Sequence, residues 1–274
     1  MNENRVVFVE GIPGSGKTSL SHKLMHEYEG LGYHVRLYGE CQKNPLDLAR
    51  CAMLSKEDFD ALIVAVRKKN SKTAEKITQS IYNDTVFENG KYYVYFDSLF
   101  DNSETASIGK AIKKYDIYNG GADFLTFKKE HIRKWKQFAI DCKKDSGTVY
   151  IFDGVLIQSP LYELLGYFQV DKSEAAKYIC EIYDNVRNLN TNVYYNFTKD
   201  ISGTMNYARL KRLEQGKQWG DGFARWVEAA PYCRARNYSG FEGAIKFIQD
   251  RVSYDYYILG ELKTEIIYRS RDES

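Results

Sequence analysis

Arg5-Val6-Val7-Phe8-Val9-Glu10-Gly11-Ile12-Pro13-Gly14-Ser15-Gly16-Lys17-Thr18 is the stretch that decides the fold. Arg5 to Glu10 is a short β-branched and aromatic run that stops at glycine, which reads as a buried parallel strand. Ser19 to Glu29 reads as a helix, stopped by Gly30 and Gly32. Tyr33 to Tyr38 reads as a second strand. A strand, a helix and a strand within about 35 residues make a βαβ unit, which implies a parallel sheet.

Between the first strand and its helix, Gly11 to Thr18 has the spacing GxxxxGK[ST]. That spacing carries chemistry only in a strand-to-helix context, which this chain supplies. Glycines at 11, 14 and 16, with Pro13 and Ser15 between them, let the backbone turn tightly and approach oxygen atoms closely. Successive N–H groups and the helix start, with Ser19 next in line, then form a nest for phosphates. The Lys17 ammonium is placed to neutralise β and γ phosphates, and the Thr18 hydroxyl to ligate Mg²⁺.

Working outward, Thr148 to Phe152 reads as the next buried strand, ending at Asp153 and Gly154. Asn192 to Phe197 and Thr264 to Tyr268 complete a set of five. Five parallel strands separated by helices predict a doubly wound α/β core. Asp153 at a strand end has the residue type and place of a carboxylate that holds Mg²⁺ through water; the alternative is a turn aspartate. The interval 40–147 is too long for a structureless loop. Ser55 to Lys68, Ser71 to Ile81 and Thr126 to Lys143 read as helices, and Asn89-Gly90 marks a type I′ hairpin within Thr85 to Phe96. We therefore expect a core at 1–39 and 148–274, with a mostly helical insertion at 40–147 that caps the acceptor site.

Composition removes other classes. Of 274 residues, 43% are hydrophobic and 28% charged, which suits a packed chain and excludes a disordered one. The net charge is +2, so a nucleic-acid partner is not expected. No apolar run reaches the roughly 18 residues of a membrane span. The N-terminus lacks a secretory pattern, which predicts a cytoplasmic protein without a membrane partner. Five scattered cysteines (41, 51, 142, 180 and 233) with no CxxC pair predict reduced thiols. His131 and Glu130 do not predict a metal site, because Trp135 stands where a second ligand would lie.

The loop resembles those of the P-loop NTPase superfamily. Several observations narrow the branch. Asp153-Gly154-Val155-Leu156 is not DxxG, no NKxD is present, and no glutamate follows Asp153. Glu10 before Gly11 resembles the EGxxGxGK loop of thymidylate and deoxyribonucleoside kinases. The resemblance implies a three-layer P-loop fold; the five-stranded parallel sheet and the insertion between strands two and three are read from the residues themselves. It also implies that Glu40, past strand two, is the base for the acceptor proton. A basic lid helix is implied at Tyr207 to Gln215, with Arg209 and Arg212 clamping the transferring phosphoryl group. Three departures stand out: no proline directly follows Glu40, Gly154 replaces the arginine expected after the strand-three carboxylate, and the insertion at 40–147 is longer than a simple nucleotide kinase needs.

The expected activity is ATP-Mg²⁺-dependent transfer of the γ-phosphate to a small-molecule acceptor: a nucleoside, a nucleotide or a related metabolite. A sugar nucleotide or an antibiotic hydroxyl is the alternative acceptor. An ATP-binding switch with slow hydrolysis is the alternative from another class. Arg234 and Arg236, beside Tyr232 and Tyr238, are further candidates for a mobile segment over the site.

Overall fold

The computed structural model describes residues 5–40, 43–68, 71–96 and 106–271. It divides into two compact units, Met1–Asp47 with Lys128–Ser274, and Leu48–Phe127. The first contains β1 (Arg5–Gly11), α1 (Lys17–Gly30) and β2 (His34–Tyr38). The second contains β3 (Cys51–Leu54), α2 (Lys56–Arg67), α3 (Ser71–Asn83), β4 (Thr85–Glu88), β5 (Lys91–Tyr95) and α4 (Ala106–Ile112). Then come α5 (Phe124–Lys144), β6 (Thr148–Asp153), α6 (Gln158–Gly166), α7 (Lys172–Tyr183), β7 (Thr191–Phe197) and α8 (Ile201–Glu214). The chain ends with α9 (Trp219–Ala229), α10 (Pro231–Arg234), α11 (Gly240–Glu261) and β8 (Ile266–Ser270).

The first unit is built on a five-stranded, all-parallel sheet in the order β2-β6-β1-β7-β8. Alternation along the strands sends successive side chains to opposite faces. One face packs Val7, Val9, Val149 and Ile151 against Leu20 and Leu24 of α1. On the other, Phe8 stacks on Phe152 and on Trp135 of α5, at centroid distances of 5.6 and 5.5 Å. Tyr195 on this face reaches Asp255 of α11. Helices on both faces make three layers, as the strand count predicts. β1 is central, and the chain leaves it for β2 on one side and reaches β7 on the other. Such a switch point opens a crevice at the carboxyl ends of the strands. The register pairs Val9 with Asp153 and Gly11 with Asn196, which brings those two side chains to the edge of the glycine loop.

The interval between β2 and β6 departs from expectation. The compact unit is Leu48–Phe127 rather than 40–147. Most of α5 belongs to the core unit, because Trp135 and Phe138 pack on the sheet at Phe8 and Phe152. The second unit also holds a three-stranded antiparallel sheet, β3-β5-β4, beside its helices. Its hairpin turn has Asn89 at φ 49° and Gly90 at φ 73°, both positive as a type I′ turn requires. Ser55 caps α2 by accepting the Asp58 N–H at 3.1 Å. Phe59 and Ile63 of α2 pack with Ile77, Ile81 and Val94 in a separate small core.

Among the described residues, no helix is long and apolar enough to cross a membrane. Cys51, Cys142, Cys180 and Cys233 form no disulfide among the described residues, and Cys41 lies outside them.

Candidate functional site

The glycine loop follows β1 and opens α1, and its geometry needs glycine. Gly11, Gly14 and Gly16 have φ of 144°, 82° and 87°, a region that side chains rarely adopt. A Cβ on Gly11 would lie 2.3 Å from the Asn196 carbonyl oxygen. One on Gly14 would lie 2.7 Å from Ala208 Cβ, so α8 packs directly against the loop. No side chain caps α1 at Gly16, and Gly16, Thr18 and Ser19 are exposed. Pro13 and Ser15 are buried on the inner side of the turn. Helix-end N–H groups next to open space favour an anion.

Lys17 is 3% exposed, and its ammonium must be held. Its Nζ donates to the Ile12 carbonyl at 3.0 Å and pairs with Glu40 Oε1 at 2.8 Å. Thr18 Oγ1 donates to Asp153 Oδ2 at 2.8 Å. Asp153 Oδ1 is buried and accepts no hydrogen bond from the described residues. The structure thus gathers Lys17, Thr18, Glu40 and Asp153 from α1, the end of β2 and the end of β6.

The carboxylates at this end of the sheet differ in electrostatics. Burial raises the Asp153 carboxyl to about 6; Lys17 opposes the shift and the charge on Glu40 adds to it. Burial also pushes Glu40 upward, but the Lys17 charge and hydrogen bond, with help from Gln158 and Arg212, outweigh it and hold Glu40 below its ordinary range. Glu10 is fully buried at the loop base. Its two oxygens accept the backbone N–H groups of Leu156 at 2.7 Å and Gln158 at 3.0 Å, yet burial lifts it to about 7.

The two arginines expected to form a clamp divide. Arg212 lies close enough to act on Glu40, with its guanidinium 4.3 Å from the centre of the Trp219 ring. Arg209 packs over Phe241 at 4.8 Å and faces Asp221 at 3.9 Å, a partnership within the helices rather than with the loop. Arg236 likewise sits over Tyr232 at 3.6 Å and donates to its carbonyl.

Three residues that the sequence did not single out complete the surroundings. Gln158, at the start of α6, hydrogen-bonds Glu40 and is buried. Asn196 Nδ2 donates to the Ser15 carbonyl at 3.1 Å. Arg251 of α11, fully buried, donates to the Gly11 carbonyl at 2.9 Å. The departure at Gly154 has a steric reason. Its φ is 72°, and a Cβ there would lie 3.0 Å from Gln158 Nε2 and 3.4 Å from Glu40 Cγ, so a side chain at this position is strained and crowds two residues of the site.

Among the described residues, no group of three or more His, Cys, Asp or Glu could hold a metal by itself. A divalent cation here would depend on Thr18, Asp153 and the oxygens of its ligand. Compared with known proteins, the chain matches no family model, and no curated protein is significantly similar to it.

Proposed function

We propose that this chain is a cytoplasmic, ATP-Mg²⁺-dependent phosphotransferase that moves the γ-phosphoryl group to a small hydroxyl- or phosphate-bearing acceptor, resembling nucleoside and nucleotide kinases. One observation carries the reading: beside a glycine loop with exposed, uncapped helix amides, a buried lysine, a threonine hydroxyl and two carboxylates meet within hydrogen-bonding distance.

The residues fit Mg²⁺. Asp153 offers a buried carboxylate oxygen with no hydrogen bond, and the Thr18 hydroxyl adjoins it. When bound, Mg²⁺ neutralises charge on the phosphate chain. The backbone N–H groups of Gly14 and of Gly16 to Ser19 hold the phosphate oxygens. Lys17 exchanges its contacts with the Ile12 carbonyl and Glu40 for phosphate contacts. Glu40 then receives the acceptor proton while the new oxygen–phosphorus bond forms and the bond to the leaving diphosphate breaks. Gln158 orients Glu40, and Arg212 adds positive charge as negative charge develops. Arg209, turned to Phe241 and Asp221, is not given a part in this step.

The test is transfer of label from γ-labelled ATP with Mg²⁺ to a panel of nucleosides, nucleotides, sugar nucleotides and aminoglycosides, with free phosphate resolved separately. Label on one acceptor class, abolished in a folded Lys17→Ala variant, is the expected result. Free phosphate alone, at a rate that no acceptor changes, overturns the transferase reading in favour of a nucleotide-dependent switch. Undiminished transfer by Lys17→Ala overturns the mechanism.

A further inference from the structure

Arg251 is a fully buried arginine on the penultimate element of the chain, far in sequence from the loop it touches. Its Nη2 donates to the Gly11 carbonyl at 2.9 Å and to Asp255 Oδ2 at 3.1 Å. Tyr195 donates to the same Asp255 oxygen at 2.8 Å. Among the described residues, Arg251 Nε and Nη1 have no hydrogen-bond partner, and neither has Asp255 Oδ1. The guanidinium lies 5.5 Å from the centre of the Tyr162 ring. A buried ion pair with spare donors is a poor stabiliser by itself, since desolvation offsets much of its attraction. The contact with Gly11 gives it a second role.

An anion nest works only if amide N–H groups face the anion and carbonyl oxygens do not. In this loop three carbonyls are each tied by a side-chain donor. Arg251 holds Gly11 O, Lys17 holds Ile12 O at 3.0 Å, and Asn196 holds Ser15 O at 3.1 Å. Lys17 is the one side chain expected to move to phosphate, and Ile12 O keeps the Ser15 N–H at 3.2 Å, so Arg251 and Asn196 are the two side-chain ties that remain. They approach from α11 and β7, two elements of the core unit.

We propose that Arg251 and Asn196 are positioning residues that hold the Gly11 and Ser15 carbonyls away from the phosphate site, preorganising the loop for a polyphosphate chain. The inference rests on the nucleotide-binding reading given above. It specifies that the phosphate chain, rather than the base, depends on these two side chains. Asp255 balances the Arg251 charge and orients its guanidinium, and Tyr195 orients Asp255.

The experiment measures equilibrium binding of inorganic tripolyphosphate and ATP by displacement of a fluorescent ATP analogue. It uses the full chain, with circular dichroism and thermal melting on each variant. Arg251→Met leaves Asp255 unpaired, so Arg251→Met with Asp255→Asn is made alongside it, and Asn196→Ala removes the second tie alone. In folded variants the expected result is at least a tenfold loss of tripolyphosphate and ATP affinity, with adenosine competition unchanged. Arg251→Lys, which keeps a donor and a charge, restores part of that loss. A merely structural role would lower all three ligands together and would not be rescued by lysine. Tripolyphosphate affinity within twofold of wild type in folded Asn196→Ala and in either folded Arg251→Met form overturns the inference while leaving nucleotide binding in place. Equal losses for adenosine and tripolyphosphate also overturn it. A wild-type chain that binds neither ATP nor tripolyphosphate overturns the functional reading itself, and the inference with it.

Discussion

Replacing Glu10 by glutamine isolates a cost built into the base of the loop. Glu10 is fully buried, and burial lifts its carboxyl from 4.5 to about 7 against two backbone N–H donors and the nearby Lys17 charge. In the unfolded chain it releases its proton near the ordinary value; in the folded chain it keeps the proton until about 7. Between those values the native state binds more protons, so stability falls as pH rises through the window and stays lower above it. At about 1.4 kcal/mol for each pH unit, the window costs about 3 kcal/mol. A glutamine side chain cannot ionise and escapes that cost. Urea unfolding of both proteins, from below pH 4.5 to about pH 8, gives the difference in stability, wild type minus variant. That difference is expected to fall by about 3 kcal/mol, while titrations common to both proteins cancel. A difference that stays flat across the range would refute the reasoning, because the two backbone donors would then fully offset the burial of the charge.

Gly154→Ala places a Cβ at φ 72°, 3.0 Å from Gln158 Nε2. The left-handed backbone alone costs about 1–2 kcal/mol, so a lower urea midpoint and slower transfer are expected, and an unchanged midpoint would contradict the steric account. Because Asp153 titrates at about 6, kcat/KM for Mg²⁺-dependent transfer should fall as pH drops through that value. Asp153→Asn should lose this acid limb along with most of its response to Mg²⁺; a variant that keeps the limb would assign it elsewhere. Trp135→Ala removes a fully buried ring stacked on Phe8 and should cost about 3–5 kcal/mol by denaturant unfolding. A loss under about 1 kcal/mol would mean that α5 does not anchor the sheet face.

Local signals are strong where chemistry and backbone geometry coincide. The run Arg5–Gly11, the glycines of the loop and the strand ending at Asp153 are all legible, because each needs particular residue types at particular backbone angles. The five parallel strands follow from short apolar runs, though the last lies at Ile266–Ser270, two residues beyond its expected start. The helix bearing Arg209 and Arg212 begins earlier than expected, at Ile201, where Asp200 accepts the Gly203 N–H at 2.8 Å and caps it. What the sequence hides is long-range. Arg251 on a 22-residue helix looks like any surface cation until α11 packs on the sheet and buries it completely. Asn196 lies within an otherwise ordinary strand, and only its register opposite Gly11 gives it a carbonyl to hold. Arg209 and Arg212 are three residues apart on one helix, yet each stacks on a different aromatic ring, a choice that helical spacing does not decide. The strand Cys51–Leu54 escapes a sequence reading because four apolar residues carry no period; its pairing with β5 defines it.

The contacts of Lys17 bear on whether this is a ligand site or only a well-packed turn. A buried ammonium needs partners, and Ile12 O and Glu40 supply them, so a purely structural lysine is satisfied by the same two contacts. The surroundings separate the two readings. A structural lysine gives no reason for Gly16, Thr18 and Ser19 to stay exposed at a helix end without a capping side chain. Nor does it explain why Asp153 keeps a buried oxygen free of hydrogen bonds beside the Thr18 hydroxyl. Glu40 is only 29% exposed, and an anion arriving at Lys17 would weaken the attraction that holds its carboxyl down. Its proton affinity would then rise at the moment an acceptor hydroxyl needs a base. Under the proposed function, one cation shared between a carboxylate and an incoming phosphate would link donor binding to the readiness of the base, and a turn stabilised for packing alone has no use for that link.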